Sequence, residues 1–193
     1  MEHDQTRKRT AISEAPAPVV PITLRGISDP VGLALFKITY GLYIVTSRLG
    51  ERLNGQCCNT LFQITENPRR IAIGINKKNL TYEYITKSGV FATTVLGTDG
   101  HPLVGRFGYR SGREIDKFAG LSYLLAEHTG CPVVLPGIAF IECRVRPEMT
   151  VDAGTHSLFV ADVLGAGILH DGEPLTYAYY RATKSLVPQT YKG

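Results

Sequence analysis

Tryptophan is absent from the 193 residues, methionine occurs twice and cysteine four times. Without tryptophan, and with lysines and arginines scattered rather than clustered among stacking aromatics, the chain lacks the signature of a nucleic-acid binder. The cysteines, Cys57, Cys58, Cys131 and Cys143, form no C-x-x-C pair and two are adjacent. That pattern suits neither zinc nor a rubredoxin-type iron site, so no metal is expected and buried reduced thiols are. No apolar run approaches the ~20 residues that cross a bilayer, and the leading MEHDQTRKRT is polar where a signal peptide is apolar. The expectation is a cytoplasmic protein without a membrane partner.

What is present is ordinary globular material, 44% hydrophobic and 20% charged, long enough for one domain with a real core. The net charge of +4 comes partly from Arg7, Lys8 and Arg9, and suits small anionic ligands. Residues 1–25 are charged, then interrupted by proline through Pro16, Pro18 and Pro21, and read as an extended arm preceding a domain over residues 26–193. From Ala34 onward short β-rich runs alternate with turn residues: Phe36 to Arg48, Gln56 to Thr65, Ile71 to Asn76 and Val90 to Leu96. Leu49-Gly50-Glu51 and Glu66-Asn67-Pro68 punctuate them as hairpin turns. Thr81 to Ser88 reads as a short helix, and Ser111 to Thr129 as a polar helical stretch. Gly137 to Val145, Ser157 to Leu164 and Leu175 to Tyr180 are further strands, with a hairpin turn at Asp171-Gly172. An antiparallel sheet of this kind removes its edges by closing, so a mainly β barrel is expected.

Two neighbouring segments concentrate chemistry. In Asn54-Gly55-Gln56-Cys57-Cys58-Asn59-Thr60, small and polar residues interrupt the hydrophobic alternation. Gly55 permits close approach to the backbone, and consecutive N–H groups with Asn59 and Thr60 can bind a heterocycle edge and a polyol chain. The plain alternative is a polar edge strand with a bulge. In Ile75-Asn76-Lys77-Lys78-Asn79-Leu80-Thr81 a strand ends and a helix opens. Lysines beside free helix N–H groups make an anion site, a phosphate monoester in particular. The plain alternative there is helix capping by Asn79 or Thr81.

Together with Lys37 to Thr46, Pro68, Ser88 to Ala92, Gly105 to Gly108, Ser111 to Phe118, Thr155 to Val160 and Pro174 to Tyr180, these segments resemble the flavin reductase-like, FMN-binding split-barrel family. Within it the likeness is to flavoredoxin and to the flavoprotein half of high-molecular-weight rubredoxin. The resemblance implies a homodimer of six-stranded antiparallel Greek-key split barrels with short flanking helices and FMN near the subunit interface. It implies Gln56, Cys57 and Cys58 along the isoalloxazine, Asn54 near ring or ribityl, and Asn59, Thr60, Lys77, Asn79 and Thr81 at the phosphate, with Asn76 in the same segment. His156 matches a histidine close to the flavin and is the candidate catalytic residue; a turn residue at a strand entry is the plain alternative. Where fused relatives continue into a C-x-x-C domain, this chain stops at Lys192-Gly193, which implies a separate electron acceptor.

The implied function is transfer of reducing equivalents from NADH or NADPH through FMN to free flavin, ferric iron or a partner redox protein. The alternatives are a flavoredoxin-like carrier that does not oxidise NAD(P)H, a non-catalytic flavin-binding protein, and an oxidase of the pyridoxamine-phosphate type. Gly105 to Gly112 offers arginines for a nicotinamide pyrophosphate but lacks a Rossmann context, and reads as a solvated loop. Phe159, Tyr177 and Tyr180 are candidate dimer-interface aromatics, the other reading being core.

Overall fold

A computed structural model describes residues 29–186, so the arm read over residues 1–25 and the Lys192-Gly193 end lie outside the described residues. The chain divides into two compact units between Lys37 and Ile38. In the first, Asp29 opens a short helix, α1 (Pro30–Leu35), by accepting a hydrogen bond from the Gly32 N–H at 2.8 Å. Proline at the first position costs that helix nothing, because its missing N–H would have no partner there.

The second unit is mainly β. It runs β1 (Tyr43–Leu49), β2 (Arg52–Cys58), β3 (Leu61–Glu66), β4 (Arg69–Asn76), α2 (Leu80–Ser88), β5 (Val90–Val95), α3 (His101–Gly108), β6 (Tyr123–Leu125), β7 (Pro132–Val134), β8 (Ala139–Val145), β9 (Val151–Ala153), β10 (His156–Ile168) and α4 (Tyr177–Thr183). The main sheet is antiparallel, ordered β2-β1-β5-β8-β10-β4-β3, with β9 pairing on β10; β6 and β7 form a separate pair. The strands are more numerous than six. Asn59-Thr60 divides the run from Gln56 to Thr65 in two, and β9 adds a short partner to the 13-residue β10. At the division Thr60 O accepts from Gly74 N at 3.0 Å. A Cβ on Gly74 would stand 2.8 Å from Thr60 Cγ2, so glycine there lets β3 lie close on β4.

Alternation along the strands builds two cores. Val45, Cys58, Ile71, Ile73, Ile75, Phe91, Cys143, Val145, Phe159 and Ala161 fill one cluster drawn from β1, β2, β4, β5, β8 and β10. Ile44, one residue before Val45, joins a second cluster with Leu103, Val104 and Phe107 of α3, Phe118, Val134 and Tyr180 of α4. Phe159 and Tyr180 are therefore core residues, 4% and 3% exposed, as the other reading of them has it, and the half-buried Tyr177 packs on that second core.

Several local expectations give way to tertiary context. The strand from Phe36 starts only at Tyr43. The helix expected over Ser111 to Thr129 is instead turns and β6, and α3 lies just before it, started by Pro102 and carrying Leu103, Val104 and Phe107 on its buried face. Thus Gly105 to Gly108 is helix rather than solvated loop. Leu175 to Tyr180 is not a strand either. Thr176 Oγ1 accepts from Tyr179 N at 3.1 Å and caps α4, so the segment after Asp171-Gly172 returns through isolated bridges, Gly97 to Pro174 and Gly41 to Thr176, and not through a hairpin.

Candidate functional site

Because β2 ends the sheet, one of its edges meets no strand among the described residues. Lys117 Nζ reaches that edge and donates to Gly55 O at 2.9 Å. Every residue from Arg52 to Cys58 has a partner opposite it on β1, but backbone groups of alternate residues point the same way in a strand, so the Gly55 and Cys57 N–H groups face the same edge as the Gly55 carbonyl that Lys117 meets. The side chains divide by face: Leu53 and Cys57 pack toward the α3 core, and Cys58 enters the other core.

Along this edge runs a cleft of about 290 Å³ between the start of α2 and the end of α3. Its lining includes Asn54, Gln56, Cys57, Asn79 and Thr81 from the expected set, joined by Lys78, Gly108, Tyr109, Arg110, Ser111, Gly112 and Lys117. A second cavity of about 250 Å³ is lined by Cys58 and Asn59, with Tyr177, Tyr180 and Arg181 of α4. The two share Cys57, Gly108 and Tyr109, and together they have the size of a small-molecule site. The Tyr109 hydroxyl at their junction is anchored on that of Tyr180 at 2.8 Å.

The α2 end of the cleft is built for an anion. Asn79 occupies the cap position without a side-chain cap bond, its amide instead donating to Gln56 Oε1 at 3.0 Å. Asn54 Nδ2 donates to Thr81 Oγ1 at 2.8 Å. With these side chains turned to β2, the first N–H groups of α2 stay available beside Lys78, Arg110 and Ser111. Arg113 pairs with Glu83 of α2 and steadies the same loop.

Four expected residues stand outside both cavities. Lys77 Nζ pairs with Asp152 on β9 at 2.6 Å, so of these two neighbouring lysines it is Lys78 that lines the cleft. Asn76 Oδ1 accepts from Lys78 N at 2.9 Å and orders the turn into α2. Thr60 packs on Gly74, with its hydroxyl 3.4 Å from Asn59 Oδ1. His156 is exposed at the start of β10, opposite Asn76 and Ala153, with Nδ1 2.9 Å from Thr155 Oγ1. Gly55 has a different reason for being glycine than ligand approach: a Cβ there would come 3.1 Å from both Phe107 Cε1 and Thr46 Cγ2.

Neither cysteine of the cleft is a thiolate near neutral pH. Burial, with Cys58 alongside, pushes the Cys57 thiol up to about 12 against the opposing pull of Lys117, and burial holds Cys58 at about 11. Sequence reasoning missed Lys78 and Lys117. The first is adjacent to the lysine that was singled out, and the second lies in the quoted Ser111 to Phe118 segment, where nothing in the pattern marks a buried lysine.

The lining suits FMN. One end presents helix N–H groups and cations to a phosphate, and the open strand edge presents N–H groups to a ring. At the junction of the two cavities a Cβ on Gly108 would stand 3.4 Å from Cys57 Cβ and take space the glycine leaves free.

The Flavin reductase like domain model matches residues 35–185. A high molecular weight rubredoxin from Moorella thermoacetica is 49% identical over 153 residues, covering 78% of this chain and 66% of that protein. A ferric-chelate reductase (NAD(P)H) from Archaeoglobus fulgidus is 44% identical over 161 residues, covering 81% of this chain and 93% of that one. Among solved structures, the NADH:FAD oxidoreductase of Streptomyces globisporus superposes with a TM-score of 0.70 at 21% identity, covering 84% and 93% of the two chains, a likeness of fold.

Proposed function

The chain belongs to the flavin reductase like domain family, and from that membership we propose a flavin reductase-type oxidoreductase that moves reducing equivalents from NADH or NADPH through FMN to a separate acceptor. The acceptor classes are free flavin, ferric iron and a partner redox protein. The observation that carries this reading is the open edge of β2, flanked on one side by the uncapped α2 N-terminus with Lys78 and on the other by Lys117.

FMN, when bound, supplies hydride acceptance from the nicotinamide and release of two electrons to the acceptor. The protein's part is position and electrostatics. The first N–H groups of α2 with Lys78, Arg110 and Ser111 hold the phosphate, Asn54, Gln56, Asn79 and Thr81 fix the α2 end of the cleft, and the Gly55 and Cys57 N–H groups orient the ring. Cys58 and Asn59 border the adjoining cavity, which is suitable for the nicotinamide. Thr60, Asn76 and Lys77 support the two segments from behind. His156 remains a candidate to act across a subunit boundary, since it lines neither cavity of its own chain.

Two further elements belong to the reading. A homodimer is supported by the exposed apolar side chains Phe62 and Ile64 on β3 and Ile168, 81% exposed, at the end of β10. Light scattering at low micromolar concentration checks it, and a monomer that holds FMN tightly would rule it out. A cytoplasmic setting is supported by four free cysteines, since reduced thiols and nicotinamide donors share that compartment.

The experiment is the visible spectrum of the purified protein before and after anaerobic NADH or NADPH. Bleaching of bound flavin by either donor is the expected result. Flavin that stays oxidised with both, yet is reduced by a redox protein, would establish a flavoredoxin-like carrier instead. That second reading is favoured by the 49% identity to the high molecular weight rubredoxin.

A further inference from the structure

Lys117 is 5% exposed, yet its ammonium meets only neutral partners. Nζ donates to Gly55 O at 2.9 Å and Phe107 O at 3.0 Å, and lies 5.8 Å from the centroid of the Phe107 ring. No carboxylate pairs with it among the described residues. Of the two cavities that it borders, the cleft along β2 has no acidic residue in its described lining, while the other, about 530 Å³, is lined by Glu51, Glu114 and Asp116, none of which pairs with it. The other ionisable groups of the cleft are Cys57 from β2, Lys78 ahead of α2, and Tyr109 and Arg110 after α3. A buried ammonium is costly unless a charge of opposite sign offsets it. Burial accordingly pulls its pKa down to about 8, with Cys57 opposing the shift.

The position of this cation is informative. The phosphate donors gather on the α2 flank of β2, around Lys78 and Asn79. Lys117 stands against the α3 flank, bridging the Gly55 carbonyl to the carboxyl end of α3. Whatever lies along Gly55 to Cys57 lies beside it.

We infer that Lys117 is a buried counter-charge for an anion that forms along the Gly55–Cys57 edge, so that in the flavin reading, on which this inference rests, it favours the reduced anionic ring over the oxidised neutral one. The balance is simple. A hydride brings two electrons and one proton from NAD(P)H to a neutral ring, the nicotinamide leaves oxidised, and the ring keeps one negative charge while Lys117 keeps its proton. The competing role is a structural staple between β2 and α3, which would act equally on both redox states.

The test uses the full chain reconstituted with FMN, comparing wild type with Lys117→Gln, which keeps a donor without the charge, and Lys117→Met. Anaerobic titrations give the dissociation constants for oxidised and reduced FMN. The expected result is that both variants lose about tenfold more affinity for reduced than for oxidised FMN, equivalent to a midpoint potential about 30 mV lower for a two-electron couple. Equal losses in the two states would overturn the inference in favour of the staple. A loss seen with oxidised FMN but not with riboflavin, at an unchanged ratio, would overturn it in favour of a phosphate contact. If wild type binds no FMN, the flavin reading fails, and the inference with it. Should neither variant fold, wild type alone decides. Its reduced flavin must keep the absorption spectrum of the anion as pH falls through the range where free reduced flavin gains a proton, and protonation in step with free flavin would overturn the inference.

Discussion

Asn79 donates its side-chain amide to Gln56 Oε1 at 3.0 Å, tying the first residue before α2 to the open strand β2 and leaving the helix without a side-chain cap. An Asn cap replaced by Ala usually costs about 1 kcal/mol. With no cap bond to lose, Asn79→Ala is expected to lower apoprotein stability by less than about 0.5 kcal/mol, judged from urea denaturation against that usual cost. FMN binding should weaken about fivefold, because Gln56 and the α2 entrance lose their tie, a change under the 1.4 kcal/mol of a tenfold effect. A stability loss of a full capping bond with unchanged FMN affinity would return Asn79 to an ordinary cap.

Neighbouring lysines separate two roles. Lys78 lines the cleft and Lys77 is held by Asp152. Lys78→Ala is expected to weaken FMN about five- to tenfold, roughly 1 kcal/mol, with a loss that shrinks at high salt where a phosphate contact is screened. Lys77→Ala removes an exposed ion pair worth at most about 1 kcal/mol and should leave FMN affinity within twofold. Fluorescence titrations at two ionic strengths compare them, and the reverse ranking would restore Lys77 to the phosphate.

The sequence made the strand–helix segment around Lys77 and Lys78 legible as an anion site, since helix N–H groups and adjacent cations are local features. Which lysine faces the cleft depends on Asp152, 75 positions away, and no local pattern carries that. Likewise, Leu175 to Tyr180 reads as a strand, while Thr176 in the capping position gave the deciding signal. Gly55 was visible as a close-approach residue, but the approaching group is Phe107 of α3. Lys117 was least legible: the polar helical stretch read over Ser111 to Thr129 marks no lysine for burial, and only the turn-rich path of the chain buries it.

Buried thiols set an alkaline limit on the fold. Burial raises Cys57 to about 12 and Cys58 and Cys131 to about 11, and lifts Cys143 as well, from an ordinary value near 9. A group whose folded pKa is raised contributes stability that is fully present below its unfolded pKa and lost as pH climbs through the folded one. The window is therefore about pH 9 to 11. Lys117, lowered from 10.5 to about 8, acts in the opposite sense, so it recovers stability between those values. Its single contribution is set against four thiols. The urea midpoint is expected to fall between pH 9 and 11, with each two-unit shift accounting for a change on the order of 2–3 kcal/mol. Cys131→Ala should make that fall shallower while lowering stability modestly at pH 7. An unchanged slope would mean that Cys131 ionises no differently in the folded protein than in the unfolded one.

Gly112 tests how closely the loop after α3 must approach β2 to complete the cleft. Its backbone has no left-handed conformation to explain the glycine, but a Cβ there would stand 2.0 Å from Asn54 Oδ1. Asn54 cannot easily move aside, since it is 3% exposed and bonded to Thr81 Oγ1 at 2.8 Å. Gly112→Ala must therefore displace the loop or break the Asn54–Thr81 bond at the start of α2. Overpacking of this kind typically costs about 1–3 kcal/mol. Gly120→Ala is a useful contrast: φ is +66° there, with nothing within 4 Å of the new Cβ, so its cost is conformational and falls away from the cleft. Both variants should lose stability in urea, but only Gly112→Ala should also weaken FMN more than tenfold. If Gly112→Ala binds FMN as wild type does, the loop has slack to accept a side chain, and the contact with Asn54 does not shape the site.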